Sequence, residues 1–226
     1  MALEPRDTAE SGEGRAARSV KLDGADLLAA AVGAVLGFAI HQLIKPFPEP
    51  GLGGLLDGTA VYAWVLSLLA LCGFGAFSVL LSLIDIRSFT LPNGLVLWAN
   101  LWVILLLNTS SLFARDWNGL LLAWIGAVVS GLLAFFGWLR WGSYLGAGDV
   151  KLMPVAAFAA VWGSSGHEYL TGLIVFPALL LGGLLVFGIA GLILQRERIP
   201  AGPIILGASW LTIVVLCEPL GEWINR

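Results

Sequence analysis

The sequence predicts an all-α protein, a polytopic transmembrane helical bundle of about seven spans. Three observations carry that prediction. Hydrophobic residues make up 58% of the 226 residues and charged residues only 12%, a balance outside the usual range for a water-soluble domain. Several apolar stretches, joined by short polar segments, approach or exceed the roughly 20 residues that a helix needs to cross a bilayer. A run such as Leu120 to Leu139 is apolar on every side, whereas a membrane β-barrel strand alternates over ~10 residues.

Residues 1–24 are rich in Glu, Arg, Ser and Gly without apolar periodicity. They read as a mobile tail ahead of a transmembrane domain spanning 25–226. The first apolar segment, Leu27 to Ile44, is followed by Lys45, Pro46 and Pro48 in place of a small-residue cleavage site, so it is expected to stay as a helix. The remaining candidate spans are 61–84, 93–109, 119–139, 152–163, 169–194 and 203–217. Segment 152–163 is short for a crossing and carries Pro154, which leaves a re-entrant or tilted piece open.

Basic residues set the orientation. Arg6, Arg15, Arg18, Lys21, Arg87, Arg140, Lys151, Arg196 and Arg198 collect on one side of this topology, against Lys45, Arg115 and Arg226 on the other. The richer side, with the N-terminal tail, is expected to be cytoplasmic. The net charge of −3 comes with no basic face for a polyanion, so nucleic acid is not an expected partner. Cys72 and Cys217 lie singly in apolar runs and build neither a disulfide framework nor a Cys-x-x-Cys site. His167 and Glu168 are adjacent, but two ligands fall short of a zinc site, and no metal or cofactor is expected. The tryptophans Trp98, Trp102, Trp124, Trp138 and Trp141 fall in or near span ends and read as interfacial anchors.

Two carboxylates stand out because a charge at the membrane costs several kcal/mol and calls for a partner or a task. Asp85 closes the second span, and Asp149 lies between the fourth and fifth, 64 positions later. Both fall on the cytoplasmic boundary of the predicted topology. Paired carboxylates can share one proton, the ionised member taking a proton from water while the neutral one polarises a carbonyl. As purely structural groups, Asp149 would cap the fifth helix and Asp85 would pair with Arg87 or Arg140. Around them, Gly146 and Gly148 remove side chains just before Asp149, which would let a substrate backbone approach. Pro92 and Asn93 open the third span. Lys151 reads either as a partner for the ionised carboxylate or as a positive-inside anchor, and Arg87, Arg196 and Arg198 read as anchors.

Three motifs occur in order at these boundaries: Asp85-Ile86-Arg87 running on to Leu91-Pro92-Asn93, then Gly146-Ala147-Gly148-Asp149-Val150-Lys151, then Pro200-Ala201-Gly202-Pro203. Over roughly residues 60 to 217 the sequence resembles the type IV prepilin peptidase family, with Leu91 where an Ile is usual and Ala201 where a bulky residue is common. The resemblance implies a membrane aspartyl endopeptidase in which Asp85 and Asp149 are the catalytic pair. Gly146, Gly148, Lys151, Pro92 and Asn93 would form the supporting loops. Its implied substrates are prepilin or pseudopilin precursors, cut after a short basic leader at the cytoplasmic face of a bacterial inner membrane. The paired Cys-x-x-Cys motifs of larger members do not occur here, so the resemblance is to the short, peptidase-only branch and implies no methyltransferase activity. Two other readings stay open at this point. One is a presenilin-like intramembrane protease, although its second aspartate follows a Tyr and here Ile84 precedes Asp85. The other is a non-catalytic transporter or scaffold.

Overall fold

The structure is a computed structural model and describes residues 22–45, 47–48, 57–141, 146–164, 169–193 and 200–216. Seven helices run in order: α1 Gly24–Ile44, α2 Gly58–Ser88, α3 Asn93–Ala114, α4 Trp117–Trp141, α5 Ala147–Gly163, α6 Tyr169–Ile193 and α7 Gly202–Val215. No strand occurs among the described residues. Helices α1, α2, α3, α4 and α6 are each long and apolar enough to cross a membrane. The chain is therefore a multi-pass membrane protein. Most of the tail 1–24, the basic residues Arg6, Arg15, Arg18, Lys21, Arg196, Arg198 and Arg226, the pair His167 and Glu168, and Cys217 lie outside the described residues.

Local chemistry fixes the helix ends. Asp23 accepts from the backbone N–H of Asp26 at 2.9 Å while the Asp26 carboxylate accepts from the N–H of Asp23 at 3.2 Å, so two otherwise orphaned donors are satisfied at the start of α1. Asp57 caps α2 through the N–H of Thr59 at 2.9 Å. Helix α2 stops where Phe89 turns left-handed, with φ 51°, and its N–H reaches back to the carbonyl of Asp85. Pro92 then starts α3, because its ring is compatible with a helix entrance and it has no N–H to leave unpaired.

Helix α5 is the centre of the bundle. It packs against α3, α4, α6 and α7, and every residue from Val155 to Gly163 is buried. A helix that is apolar on all sides is stable only with neighbours all round, and its small residues, Ala156, Ala157, Ala159 and Ala160, let those neighbours come close. The short predicted span 152–163 is the body of one continuous helix, α5, and most of it is buried. Pro154 sits inside it, and Gly131 of α4 leaves room for the ring, since a Cβ at Gly131 would lie 3.0 Å from the Pro154 Cγ.

Helix α1 is carried by α2. The backbones meet where Gly33 faces Gly75 and Gly37 faces the carbonyl of Leu71, a close approach of the kind that small residues permit between membrane helices. At one end of this pair Arg87 donates to the buried Asp26 carboxylate at 2.6 Å; at the other, Ser67 and the ring of His41, both buried, share a hydrogen bond of 2.8 Å. Tryptophans also tie the bundle internally. Trp102 donates to the Leu69 carbonyl, Trp124 to Asn108, Trp162 to Ser111 and Trp210 to Ser78. Trp102 and Trp124 were expected as interfacial anchors; Trp102 stands in the middle of α3 and Trp124 about two turns inside α4, and each N–H takes a protein partner because lipid offers none.

Overpacking the α1 and α2 contact should be costly. Gly37→Leu has no space for its side chain and is expected to destabilise the protein by about 1–3 kcal/mol, read as a lower unfolding temperature in detergent. Gly137→Ala, where nothing lies within 4 Å of the added Cβ, should leave that temperature unchanged.

Candidate active site

The chain direction alternates from helix to helix, so the end of α2 and the starts of α3, α5 and α7 meet at one end of the bundle. Hydrogen bonds and close contacts show the meeting directly. Asp85, three residues before the end of α2, accepts through Oδ2 from the backbone N–H of Gly202 at 2.9 Å. Gly202 is the first residue of α7 and precedes Pro203. A helix start presents unpaired N–H groups and partial positive charge, and because proline has no N–H the donor offered here is that of Gly202. Position 202 must also be small: a Cβ there would stand 3.0 Å from the Asp85 Oδ2 and 3.4 Å from its Cβ.

Asp149 lies in the first turn of α5. Its Oδ2 accepts from the N–H of Gly146 at 3.2 Å, and its own N–H donates to the Gly146 carbonyl at 3.1 Å. Its other oxygen, Oδ1, is buried without a hydrogen-bond partner among the described residues. A buried acceptor left in that state is costly and marks a place where a proton, water or substrate group belongs. Asp85 is 4% exposed and Asp149 9%. They lie close enough for the charge of Asp85 to act on Asp149. The two aspartates expected to form a pair are therefore brought together by three separate helices.

The remaining site residues support the two loops. A Cβ on Gly148 would fall 2.6 Å from the Cβ of Leu91, so the space freed by this glycine is filled by the loop between α2 and α3. At Gly146 a Cβ would meet the Asp149 carboxylate at 2.9 Å. The two glycines that sequence pattern assigned to substrate approach are thus occupied by Leu91 and by the carboxylate itself. Lys151 donates to the side chain of Asn93 at 2.8 Å, and Asn100 donates to the Lys151 carbonyl at 3.2 Å. Lys151 therefore joins α5 to α3. Pro92 contributes its carbonyl to the N–H of Val96 at 3.1 Å. Arg87 turns away from Asp85 to Asp26.

Three participants have contacts that were not foreseen: Leu91 and Gly202, although each lies in one of the three sequence motifs, and Asp26, which carries no sequence signal. Gly202 has one, since a glycine immediately before a proline at a helix entrance is a free N–H with no side chain to shield it. Among the described residues no group of three or more His, Cys, Asp or Glu gathers, so the two carboxylates stand together without a further such ligand.

These features define a polytopic membrane protein with a buried pair of carboxylates at one end of its bundle. Residues 72–217 match the model of the type IV leader peptidase family, which is well over half the chain, and the chain belongs to that family. No curated protein and no solved structure gives a match. The matched region holds Asp85, Asp149 and Gly202; helix α1, with its Asp26 partner for Arg87, lies before it.

Two substitutions test this geometry. Gly202→Ala should displace the Asp85 carboxylate and lower leader peptidase activity by about 10²-fold, the scale of an ångström-sized misplacement, with the protein still folded. Gly148→Ala should also lower activity, and adding Leu91→Ala, which empties the clashing space, should restore part of it.

Proposed function

We propose that the protein is an aspartic-type endopeptidase that removes the short basic leader of prepilin or pseudopilin precursors. The observation that carries the reading is the pair of buried carboxylates, Asp85 and Asp149, assembled from α2 and α5, with Asp85 held by the start of α7. Family membership supplies the peptidase activity, and the pair supplies a means of activating water without a nucleophilic side chain.

Asp85 takes the role of the ionised member: both carboxylates accept a backbone N–H at a helix start, and the bond to Asp85, at 2.9 Å, is shorter than the 3.2 Å bond to Asp149. Asp149 carries the shared proton and uses it toward the substrate, since its Oδ1 has no partner among the described residues. Asp85 removes a proton from a water molecule as its oxygen attacks the scissile carbonyl carbon. Asp149 donates a hydrogen bond to the carbonyl oxygen as that oxygen gains charge. Collapse of the tetrahedral intermediate breaks the C–N bond, and the leaving amine takes the proton first drawn from the water. Gly202, Gly146 and Leu91 fix the carboxylates, while Lys151 and Asn93 hold the two loops together.

The basic-residue asymmetry supports a location in the bacterial inner membrane with the tail 1–24 and this site at the cytoplasmic face. Residues 25–226 then form the peptidase domain. A basic leader suits that placement, because the leader remains on the side where the positive charges of the enzyme also lie.

Co-expression with pilin-like precursors tests the reading. The unmodified protein should release a product with a new amino terminus after the leader, read by mass spectrometry. Asp85→Asn and Asp149→Asn should each reduce cleavage by about 10²–10⁴-fold or more. Normal processing by both variants would end the proposal. The pair needs one proton, so the rate should fall toward acid as both carboxyls become protonated and toward alkali as both ionise.

A further inference from the structure

At the end of the bundle away from Asp85 and Asp149, the C-terminal ends of α1 and α3 and the N-terminal end of α2 enclose a cavity of about 590 Å³. That volume falls in the range of roughly 300–1,000 Å³ usual for small-molecule sites. Its charged lining is Lys45, Asp57 and Arg115, its neutral polar lining is Thr59 and Ser110, and its aromatic lining is Trp64 and Phe113. The leader peptidase reaction as derived above uses none of these groups.

The lining is fixed before any ligand enters. Trp64 donates from its indole N–H to the Lys45 carbonyl at 2.9 Å and meets the rings of His41 and Phe47 edge to face, at 5.3 and 5.0 Å. The Lys45 ammonium stands 4.1 Å over the ring of buried Trp162, an aromatic face that holds a cation in place. Burial pulls the Lys45 pKa below the usual ammonium value, and the charge of Asp116 opposes that shift. Asp57 accepts from both the N–H and the hydroxyl of Thr59 through one oxygen; those bonds hold its carboxyl below the usual carboxylate range, so it is anionic at neutral pH.

The charge pattern selects the ligand. A simple anion would meet the carboxylate of Asp57, and a simple cation would meet Lys45 and Arg115. A group carrying both signs can meet all three, adding to the attractions of Arg115 for Asp57 and of Asp116 for Lys45. The cavity also opens where helices end at the membrane surface, beside the exposed rings of Tyr62 and Phe113, 5.9 Å apart, and aromatic rings of this kind favour headgroup level. We propose that this cavity binds the headgroup of a zwitterionic phospholipid, its phosphodiester on Lys45 and Arg115 and its primary ammonium on Asp57, in the leaflet opposite the aspartates.

The test uses the purified full chain in detergent, offered equal amounts of phosphatidylethanolamine and phosphatidylglycerol with matched acyl chains, with retained lipid read by native mass spectrometry. The unmodified protein should retain phosphatidylethanolamine in at least about fivefold excess, a difference of roughly 1 kcal/mol. Lys45→Gln with Arg115→Gln should lose that excess. Asp57→Asn, which can still cap α2, should move the preference toward phosphatidylglycerol. Unfolding temperatures of the variants show that each is folded. Soluble glycerophosphoethanolamine added in excess separates the two sources of this chemistry: displacement of the lipid means that the headgroup alone is recognised, and persistence of the lipid means that the anchored molecule is required. Lipid profiles identical to that of the unmodified protein in both sets of variants would overturn the proposal.

Discussion

A helix with no lipid-facing side governs this architecture. Helix α5 is buried from Val155 to its end at Gly163, and α3, α4, α6 and α7 are arranged by the need to cover it. Lipid supplies no hydrophobic force that would drive one helix to the centre, so close packing of small side chains and internal hydrogen bonds must do so. The run of alanines in α5 meets the first requirement. Bonds such as that from Ser209 to the Ala156 carbonyl, at 2.8 Å, meet the second. Because the start of α5 is also where Asp149 sits, the packing that centres the helix places a carboxylate at a defined depth and angle.

Asp85 is placed by a different device, a single backbone N–H across 117 positions of sequence. The two carboxylates are thus held by independent supports that converge. One rests on the turn of its own helix through Gly146, the other on the start of a helix much later in the chain. Glycine recurs at these points for a specific reason: at positions 146, 148 and 202 a single methyl group would strike a carboxylate or the side chain of Leu91.

Apolar segments and helix boundaries were legible in the sequence because lipid leaves few alternatives: every predicted span end falls within five residues of the helix end it stands for. The candidate pair was legible as well, from the cost of carboxylates at membrane boundaries and from the order of three motifs. What sequence did not disclose were contacts that depend on the third dimension. Nothing local marks Leu91 as the filler for Gly148, and Arg87, read as an anchor or as a partner for Asp85, pairs instead with Asp26. The 152–163 segment looked weak because span length was the criterion, and length says nothing of its burial by the surrounding helices. Tryptophan positions misled in a similar way, since an indole N–H in mid-helix is a donor seeking a carbonyl before it is an anchor.

The pairing of α1 with α2 has a consequence for how the protein is made. The ion pair of Asp26 with Arg87, the glycine contact in the middle and the bond between His41 and Ser67 all join residues within the first 88 of the chain. This helical hairpin can therefore close while the rest of the polypeptide is still being synthesised, because N-terminal units fold first during translation. Arg87 and the buried Asp26 would enter the membrane boundary as a neutral couple, sparing the bilayer two separate charges. The carboxylate of Asp85 is then set at the rim of a finished unit, waiting for the later helices to bring its counterpart.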